Sequence, residues 1–170
     1  MDLLVLKEVI LDEEYEKYLP ISKNDKLIVD IGAGFGDFSI LTAKKYPQAK
    51  IYAFEPDKIY FSLLKYNLRF NKCTNIIPIN KVVTSLEEVF STTREKGVDF
   101  LKIDCEGCEF AIFKEAERES LKRIGKIVME YHSYEILRKV KKTLIMNGFE
   151  IKKIFPRRIL NENIGLLAAT

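Results

Sequence analysis

Short apolar runs alternate along this chain with longer segments that have helical periodicity. The runs are nearly continuous in apolar residues, which is typical of strands covered on both faces of a sheet. Five such runs are Lys26–Asp30, Lys50–Glu55, Asn75–Asn80, Val98–Asp104 and Gly125–His132. Because helical segments lie between them, the order predicts right-handed crossovers and a parallel sheet.

The helical segments have recognisable starts and faces. They are predicted over Gly36–Tyr46, Asp57–Asn71, Thr84–Phe90, Cys108–Lys122 and Ser133–Asn147. In the second segment, Ile59, Leu63, Tyr66 and Phe70 have the spacing of one buried face. The third segment opens with a capping-box pattern that satisfies free amides at a helix start. A further short amphipathic helix is predicted over Leu11–Leu19.

The C-terminal region departs from this alternation. Phe149–Phe155 and Ile164–Ala169 are two apolar runs whose connection, Pro156–Asn163, is too short for a helix. We therefore predict a Rossmann-like α/β fold with a mostly parallel seven-stranded sheet, helices on both faces and a C-terminal antiparallel hairpin. Pro78 places the third strand at an edge, since proline removes a donor from the ladder.

Composition restricts the remaining alternatives. The chain has 170 residues, of which 47% are apolar, so one domain can bury a full core. We expect a helical extension over 1–25 and a Rossmann-like core over 26–170. A net charge of +3 gives little support for a nucleic-acid partner. Three cysteines, no membrane-spanning stretch and no signal peptide lead us to expect a cytoplasmic protein, and the oligomeric state is not indicated.

A glycine-rich turn joins the first strand to the first helix. It reads Asp30-Ile31-Gly32-Ala33-Gly34-Phe35-Gly36, and glycines there let a ligand approach the backbone closely. The dinucleotide fingerprint requires a further glycine at position 37, which is an aspartate. The Asp30 carboxylate would also repel a pyrophosphate at the helix N-terminus. We therefore expect a cationic ligand without phosphate, S-adenosyl-L-methionine, with Glu55 accepting hydrogen bonds from its ribose.

Five segments resemble one known family. VDIGAGFGDFSI, YAFEPD, DFLKIDCEGCE, IVMEYH and GFE are similar to motifs of the FkbM methyltransferases, from about residue 26 to the C-terminus. The resemblance implies a class I methyltransferase that methylates a hydroxyl of a small molecule, sugar or glycan. In this family a longer segment usually follows the third strand, and here Asn80 stands where an acid often contacts adenine. We assign cofactor binding to Asp30, Gly32, Ala33, Gly34, Phe35, Gly36, Glu55, Pro56, Asn80 and Asp104.

Candidate catalytic residues follow the fourth and fifth strands. Asp104, Glu106 and His132 lie where the carboxyl ends of these strands meet the glycine-rich turn. We predict that Asp104 and His132 flank the acceptor and that one of them removes its proton; helix capping or a structural histidine is the alternative. The same three residues could hold Mg²⁺ with water, but we favour no metal. Cys105 and Cys108 form a C-x-x-C pattern, for which we favour no redox role.

Two other functions remain open. The first seventy residues would also suit an archaeal tRNA methyltransferase, but the fourth strand ends in DCEG, without the signature of amino-group methylation. The basic residues are scattered, and their one local cluster, Lys152, Lys153, Arg157 and Arg158, is better explained as a solvated hairpin than as an RNA contact. A non-catalytic subunit that binds the cofactor is the third interpretation.

Overall fold

The computed structural model describes residues 14–114, 116–159 and 162–170. Within these ranges no helix is long and apolar enough to cross a membrane. The strands are β1 (Leu27–Ile31), β2 (Lys50–Phe54), β3 (Ile76–Ile79), β4 (Val98–Ile103), β5 (Ile124–Tyr131), β6 (Ile151–Ile159) and β7 (Glu162–Ala169). The helices are α1 (Glu14–Lys17), α2 (Asp37–Lys45), α3 (Lys58–Phe70), α4 (Leu86–Thr93), α5 (Glu109–Lys114), α6 (Arg118–Leu121) and α7 (Tyr134–Met146).

The strands form one seven-stranded sheet in the order β3-β2-β1-β4-β5-β7-β6. The first five strands pair in parallel, and β7 is antiparallel to both of its neighbours. The order reverses between β1 and β4, so the carboxyl ends of these strands flank a crevice. The predicted fold is confirmed, including the edge position of β3, which contains Pro78.

The C-terminal hairpin is longer than the sequence predicted. The expected loop 156–163 is mostly strand, because β6 runs to Ile159 and β7 begins at Glu162. Pro156 lies within β6 opposite Gly165. The sheet accepts this proline because β6 is an edge strand, where a missing amide donor costs little.

Helices cover both faces of the sheet and bury separate apolar clusters. On one face, Val29, Phe54 and Leu101 pack with residues of α4 to α7. On the other, Ile28 and Phe100 pack with residues of α1, α2 and α3. Neighbouring strand residues belong to opposite clusters because successive side chains point to opposite faces.

Helix α3 buries a different face from the predicted one. Ile59, Leu63, Tyr66 and Phe70 are exposed, and Phe70 keeps 76% of its surface. The residues buried against the sheet are Leu64 and Leu68. The prediction was wrong because this helix carries apolar residues on two faces, and helical spacing alone does not tell which face meets the sheet.

Two further predicted helices have different bounds. The predicted helix Cys108–Lys122 is divided into α5 and α6, and the extended backbone of Glu117 starts the second. Both pieces bury apolar residues, Phe113 in α5 and Leu121 in α6. Near the N-terminus, α1 is shorter than the predicted Leu11–Leu19, of which residues 11–13 lie outside the described part.

Candidate active site

The glycine-rich turn follows β1 and forms one wall of a cavity of about 220 Å³. Gly32, Gly34 and Gly36 all have positive φ, a conformation that other residues rarely adopt. A Cβ atom on Gly32 would lie 1.7 Å from the Asp104 carbonyl oxygen, so only glycine lets β4 approach the turn. The cavity is lined by Tyr15, Gly32, Ala33, Gly34, Phe35, Asp37, Phe38, Tyr60, Lys102 and Asp104.

A buried ion pair lies beneath this turn. Asp30 and Lys102 are opposite each other in the β1–β4 register, and Lys102 Nζ lies 3.0 Å from Asp30 Oδ1. The lysine also donates to the Gly32 carbonyl, and Ser39 donates to Asp30 Oδ2. Burial alone would lower the pKa of Lys102, but Asp30 and Asp104 raise it, so the lysine stays charged. Asp30 is fully buried, so it supports the turn and does not line the cavity.

The carboxylates that line the cavity are Asp37 and Asp104. Together with Asp30 they place three acids around one lysine, which leaves an excess of negative charge. Burial raises the pKa of Asp37, and the nearby Asp30 and Asp104 carboxylates add to this effect. Asp37 begins α2, where the helix dipole favours a negative charge and where a bound phosphate would meet repulsion. The cavity therefore favours a cationic ligand.

Glu55, Pro56 and Asn80 lie beside the glycine-rich turn and are not among the cavity-lining residues of the described part. Glu55 accepts hydrogen bonds from the amides of Gly34, at 2.8 Å, and Asp57. The amide nitrogen of Asn80 donates to the carbonyls of Glu55 and Pro56. These contacts hold the β2–α3 turn against the glycine-rich turn, and one lone pair remains on each Glu55 oxygen.

Asp104, Glu130 and Tyr15 meet beyond the end of β4. The Tyr15 hydroxyl donates to Asp104 Oδ2 at 2.6 Å and lies 3.5 Å from Glu130 Oε2. Glu130 comes from β5 and is largely buried. A hydroxyl group therefore already lies beside two carboxylates next to the cavity.

His132 follows β5 and lies on the same side of the sheet. Its Nδ1 is 2.8 Å from Glu109 Oε1, and Glu109 is fully buried at the start of α5. The exposed Glu106 lies 3.4 Å from Nε2. The hydrogen bond that His132 Nδ1 donates to Glu109 raises the pKa of His132 to about 9, so the imidazole is protonated at neutral pH. The sequence suggested His132 as one of two candidate bases, but an imidazolium paired with a buried carboxylate does not take up the acceptor's proton.

Cys105 and Cys108 form a disulfide between Asp104 and Glu109. The sequence favoured no redox role for this C-x-x-C pair; the turn brings the two Cα atoms to 5.5 Å, a separation typical of disulfides. Glu106 and Gly107, inside this ring, both have positive φ. The disulfide therefore closes the loop that carries the acids around His132.

The structure brings Asp104, Glu106 and His132 together as predicted, and it adds residues that sequence analysis assigned no role. Lys102 had a visible signal, because a lysine inside an apolar strand requires a buried partner. Asp37 was noted only as a departure from the dinucleotide motif. The contacts of Tyr15 and Glu109 depend on tertiary packing, since Tyr15 is 89 residues from Asp104 in sequence.

This arrangement, a glycine-rich turn at the sheet's switch point beside an acidic cavity, is that of a class I methyltransferase. Two family models match the chain. The methyltransferase FkbM domain matches residues 72–151, and the TRM5/TYW2 methyltransferase domain matches residues 6–94. The TRM5/TYW2 model covers just over half of the chain and the FkbM model just under half, so the chain belongs to the methyltransferases that these two domain families describe.

The curated relatives match a short part of the chain. Methyltransferase sdnD of Sordaria araneosa is 43% identical over 68 residues, which are 39% of this chain and 25% of that protein. A tRNA(Phe) (4-demethylwyosine(37)-C(7)) aminocarboxypropyltransferase of Methanocaldococcus jannaschii is 36% identical over 67 residues, 39% of this chain and 27% of that protein. The matches thus span about a quarter of the length of these relatives.

Solved structures agree on the fold. Precorrin-6y C5,15-methyltransferase from Geobacter metallireducens has a TM-score of 0.71 at 17% identity, covering 100% of this chain and 91% of that one. TYW2 of M. jannaschii, in complex with AdoMet, has a TM-score of 0.57 at 19% identity, covering 93% and 73%. At such low identities, the structural similarity establishes the fold only. The reaction has to be inferred from the residues of the site.

Proposed function

We propose that this chain binds S-adenosyl-L-methionine in the cavity beside the glycine-rich turn and methylates a hydroxyl group of a small molecule, sugar or glycan. The observation that carries the proposal is the acid excess of this cavity. S-adenosylmethionine has an ammonium and a sulfonium and no phosphate, so Asp37 and Asp104 would attract it. The residues present therefore fit this cofactor.

The rest of the cofactor has a path along the turn. The cavity, at about 220 Å³, suits the amino-acid end of the molecule, and the nucleoside would extend over Gly34 toward Glu55. Each Glu55 oxygen can accept one further hydrogen bond, which suits the two ribose hydroxyls. Tyr60 packs edge-on against Phe35 with ring centroids 4.8 Å apart and provides an apolar wall nearby.

The acceptor hydroxyl would lie beside Asp104 and Glu130, near the position of the Tyr15 hydroxyl. When bound, the cofactor supplies a methyl group that is activated for displacement. As the acceptor oxygen gains the methyl group, it loses its proton, and Asp104 Oδ2 would take that proton. His132 holds protons on both nitrogens at neutral pH, so it would orient the acceptor as a donor and would not remove the proton.

The test is transfer of a labelled methyl group to an extract of small metabolites and glycans, followed by identification of the labelled product. We expect an O-methylated product with the wild-type chain and at least tenfold less with Asp104→Asn. Glu135→Gln is the matched control, because Glu135 is exposed on α7 and pairs only with Lys139 among its described ion pairs. Equal transfer by wild type and Asp104→Asn would refute the assigned role, and label on nitrogen or carbon would refute hydroxyl methylation.

A tRNA substrate is the second candidate, and the match of residues 6–94 to the TRM5/TYW2 methyltransferase domain favours it. The relative in M. jannaschii is named as an aminocarboxypropyltransferase, so the group transferred must be tested as well. We would incubate the chain with bulk tRNA and S-adenosylmethionine labelled either in the methyl group or in the carboxyl group. Label in tRNA would favour this candidate, and the labelled position would identify the transferred group.

A further inference from the structure

Three potential metal ligands converge where β4 and β5 end. Asp104, Glu130 and His132 each offer one ligand atom, and these atoms all lie within 4.8 Å of one another. Glu130 is buried, and the other two are partly buried. The sequence suggested Asp104, Glu106 and His132 as the possible ligands of Mg²⁺. The structure instead places Glu130 in the cluster, and the Glu106 side chain is 86% exposed.

A second observation concerns how the histidine is held. Glu109, which is outside this cluster and fully buried, binds the Nδ1 side of the His132 ring at 2.8 Å. A histidine that ligates a metal usually donates its other ring N–H to a carboxylate or carbonyl, and this contact fixes the ring's orientation. With Nδ1 committed to Glu109, Nε2 is the nitrogen available to a metal; it faces the exposed Glu106 at 3.4 Å, and its proton would leave when a cation binds.

The charges around the cluster also favour the binding of a cation. Asp104, Glu130, Glu106 and Glu109 all surround His132, and Lys102 lies 3.9 Å from Asp104 while it pairs more closely with Asp30. A divalent cation is attracted to such a concentration of carboxylates, and a histidine ligand gives up its proton when the cation binds. Two carboxylates and one imidazole suit Mn²⁺ or Mg²⁺ better than a thiolate-preferring metal.

We propose that Asp104, Glu130 and His132 Nε2 form a site for one divalent cation of the Mn²⁺ and Mg²⁺ class, with Glu109 holding the histidine from behind. The role of this cation rests on the proposed function, because the cation would lie beside the acceptor hydroxyl. The binding of the cation does not depend on that function. There it would hold the oxygen near Asp104 and favour its deprotonated form. An acceptor with two neighbouring oxygen atoms would then be preferred, because both could bind the cation.

The test is a Mn²⁺ titration of the metal-free full chain, followed by electron paramagnetic resonance of free Mn²⁺, without reductant so that the Cys105–Cys108 disulfide stays closed. We expect one Mn²⁺ per chain, at least tenfold weaker binding for Glu130→Gln and His132→Gln, and displacement by Mg²⁺. Glu135→Gln is the exposed control and should bind as the wild type does. Circular dichroism establishes that each variant is folded, and Glu109→Gln should weaken binding less than Glu130→Gln.

No Mn²⁺ binding by the folded wild type up to millimolar concentration would overturn the site. Binding that Glu130→Gln and His132→Gln leave unchanged would overturn it equally. S-adenosylhomocysteine binding is measured in parallel on the metal-free chain. If that ligand binds and Mn²⁺ does not, the cation site fails and the proposed function stands; if Mn²⁺ binds and the nucleoside does not, the proposed function fails and the site stands.

Discussion

Asp30 and Lys102 form an ion pair under the glycine-rich turn, with 3.0 Å between Oδ1 and Nζ, and both side chains are almost completely buried. The two residues are cross-strand neighbours of β1 and β4, and Lys102 also binds the Gly32 carbonyl. The pair therefore connects the strands that meet at the crevice to the backbone of the turn that borders the cavity. It leaves Asp37 and Asp104 as the acids that a ligand can reach.

The first prediction concerns this pair. Lys102→Met leaves the Asp30 carboxylate buried without its cation, and we expect a loss of about 3–5 kcal/mol in the free energy of unfolding. The double variant Asp30→Asn with Lys102→Met should recover part of this loss, since it removes the unpaired charge. Urea denaturation measures both. If Lys102→Met is as stable as the wild type, the pair does not support the turn.

The second prediction compares two glycines of the same turn. Both have positive φ, but a Cβ on Gly32 would meet backbone atoms of Asp104, and one on Gly34 would meet nothing within 4 Å. Gly34→Ala should cost about 1–2 kcal/mol of stability for its left-handed backbone. Gly32→Ala should cost about 3 kcal/mol or more, since β4 must move away. Thermal unfolding gives the difference, and equal losses would contradict the close approach of β4.

The third prediction uses the single histidine of the chain, whose ring proton signal needs no assignment by mutation. Glu109 raises the pKa of His132 to about 9 in the folded chain. An NMR titration should therefore give a midpoint near pH 9, and Glu109→Gln should move it toward the ordinary value near 6.5. A midpoint near 6.5 in the wild type would show that the Glu109 contact does not form.

This shift also sets the direction of a pH effect on stability. Because the folded-state pKa is raised, the contribution of His132 is complete below pH about 6.5 and is lost as pH rises through about 9. The free energy of unfolding should fall over this window in the wild type, and the fall should be smaller in Glu109→Gln. Urea denaturation at a series of pH values measures this fall. An equal slope of the unfolding free energy against pH in both proteins would contradict the prediction.

The fourth prediction tests the orientation of α3 with two adjacent leucines. Leu64 is fully buried and Leu63 is 41% exposed. Leu64→Ala should cost about 2–5 kcal/mol, since it opens a cavity in the core. Leu63→Ala should cost less than about 1 kcal/mol. Urea denaturation measures both losses. A larger loss for Leu63→Ala than for Leu64→Ala would show that α3 buries the face predicted from the sequence.

The fifth prediction concerns Asp37. Asp37→Asn removes one negative charge from the cavity at nearly constant shape, and we expect about tenfold weaker binding of S-adenosylmethionine, or about 1.4 kcal/mol. Binding to the wild type should weaken at low pH, because burial raises the pKa of Asp37 and its charge is lost earlier on acidification. Isothermal titration calorimetry of both proteins is the measurement. Unchanged affinity would exclude Asp37 from the ligand's surroundings.

The apolar runs predicted the seven strands well, because strands covered on both faces have a strong and local signal. The face of α3 was predicted wrongly, since Ile59 and Phe70 have the same spacing as core residues and are exposed. The residues of the site also divide into those that the sequence located and those that it did not. Asp104 and His132 end strands and could be located by position, whereas Tyr15 and Glu109 reach them through packing that sequence periodicity does not encode.

The central claim is that the acidic cavity beside the glycine-rich turn takes an S-adenosyl amino acid, whose ammonium it attracts, and excludes a dinucleotide. Its most direct test is a thermal-shift comparison of S-adenosylhomocysteine and NAD⁺ with the full chain, because a bound ligand raises the melting temperature by mass action. The account predicts a concentration-dependent rise with S-adenosylhomocysteine and none with NAD⁺. A rise with NAD⁺ and none with S-adenosylhomocysteine would contradict it.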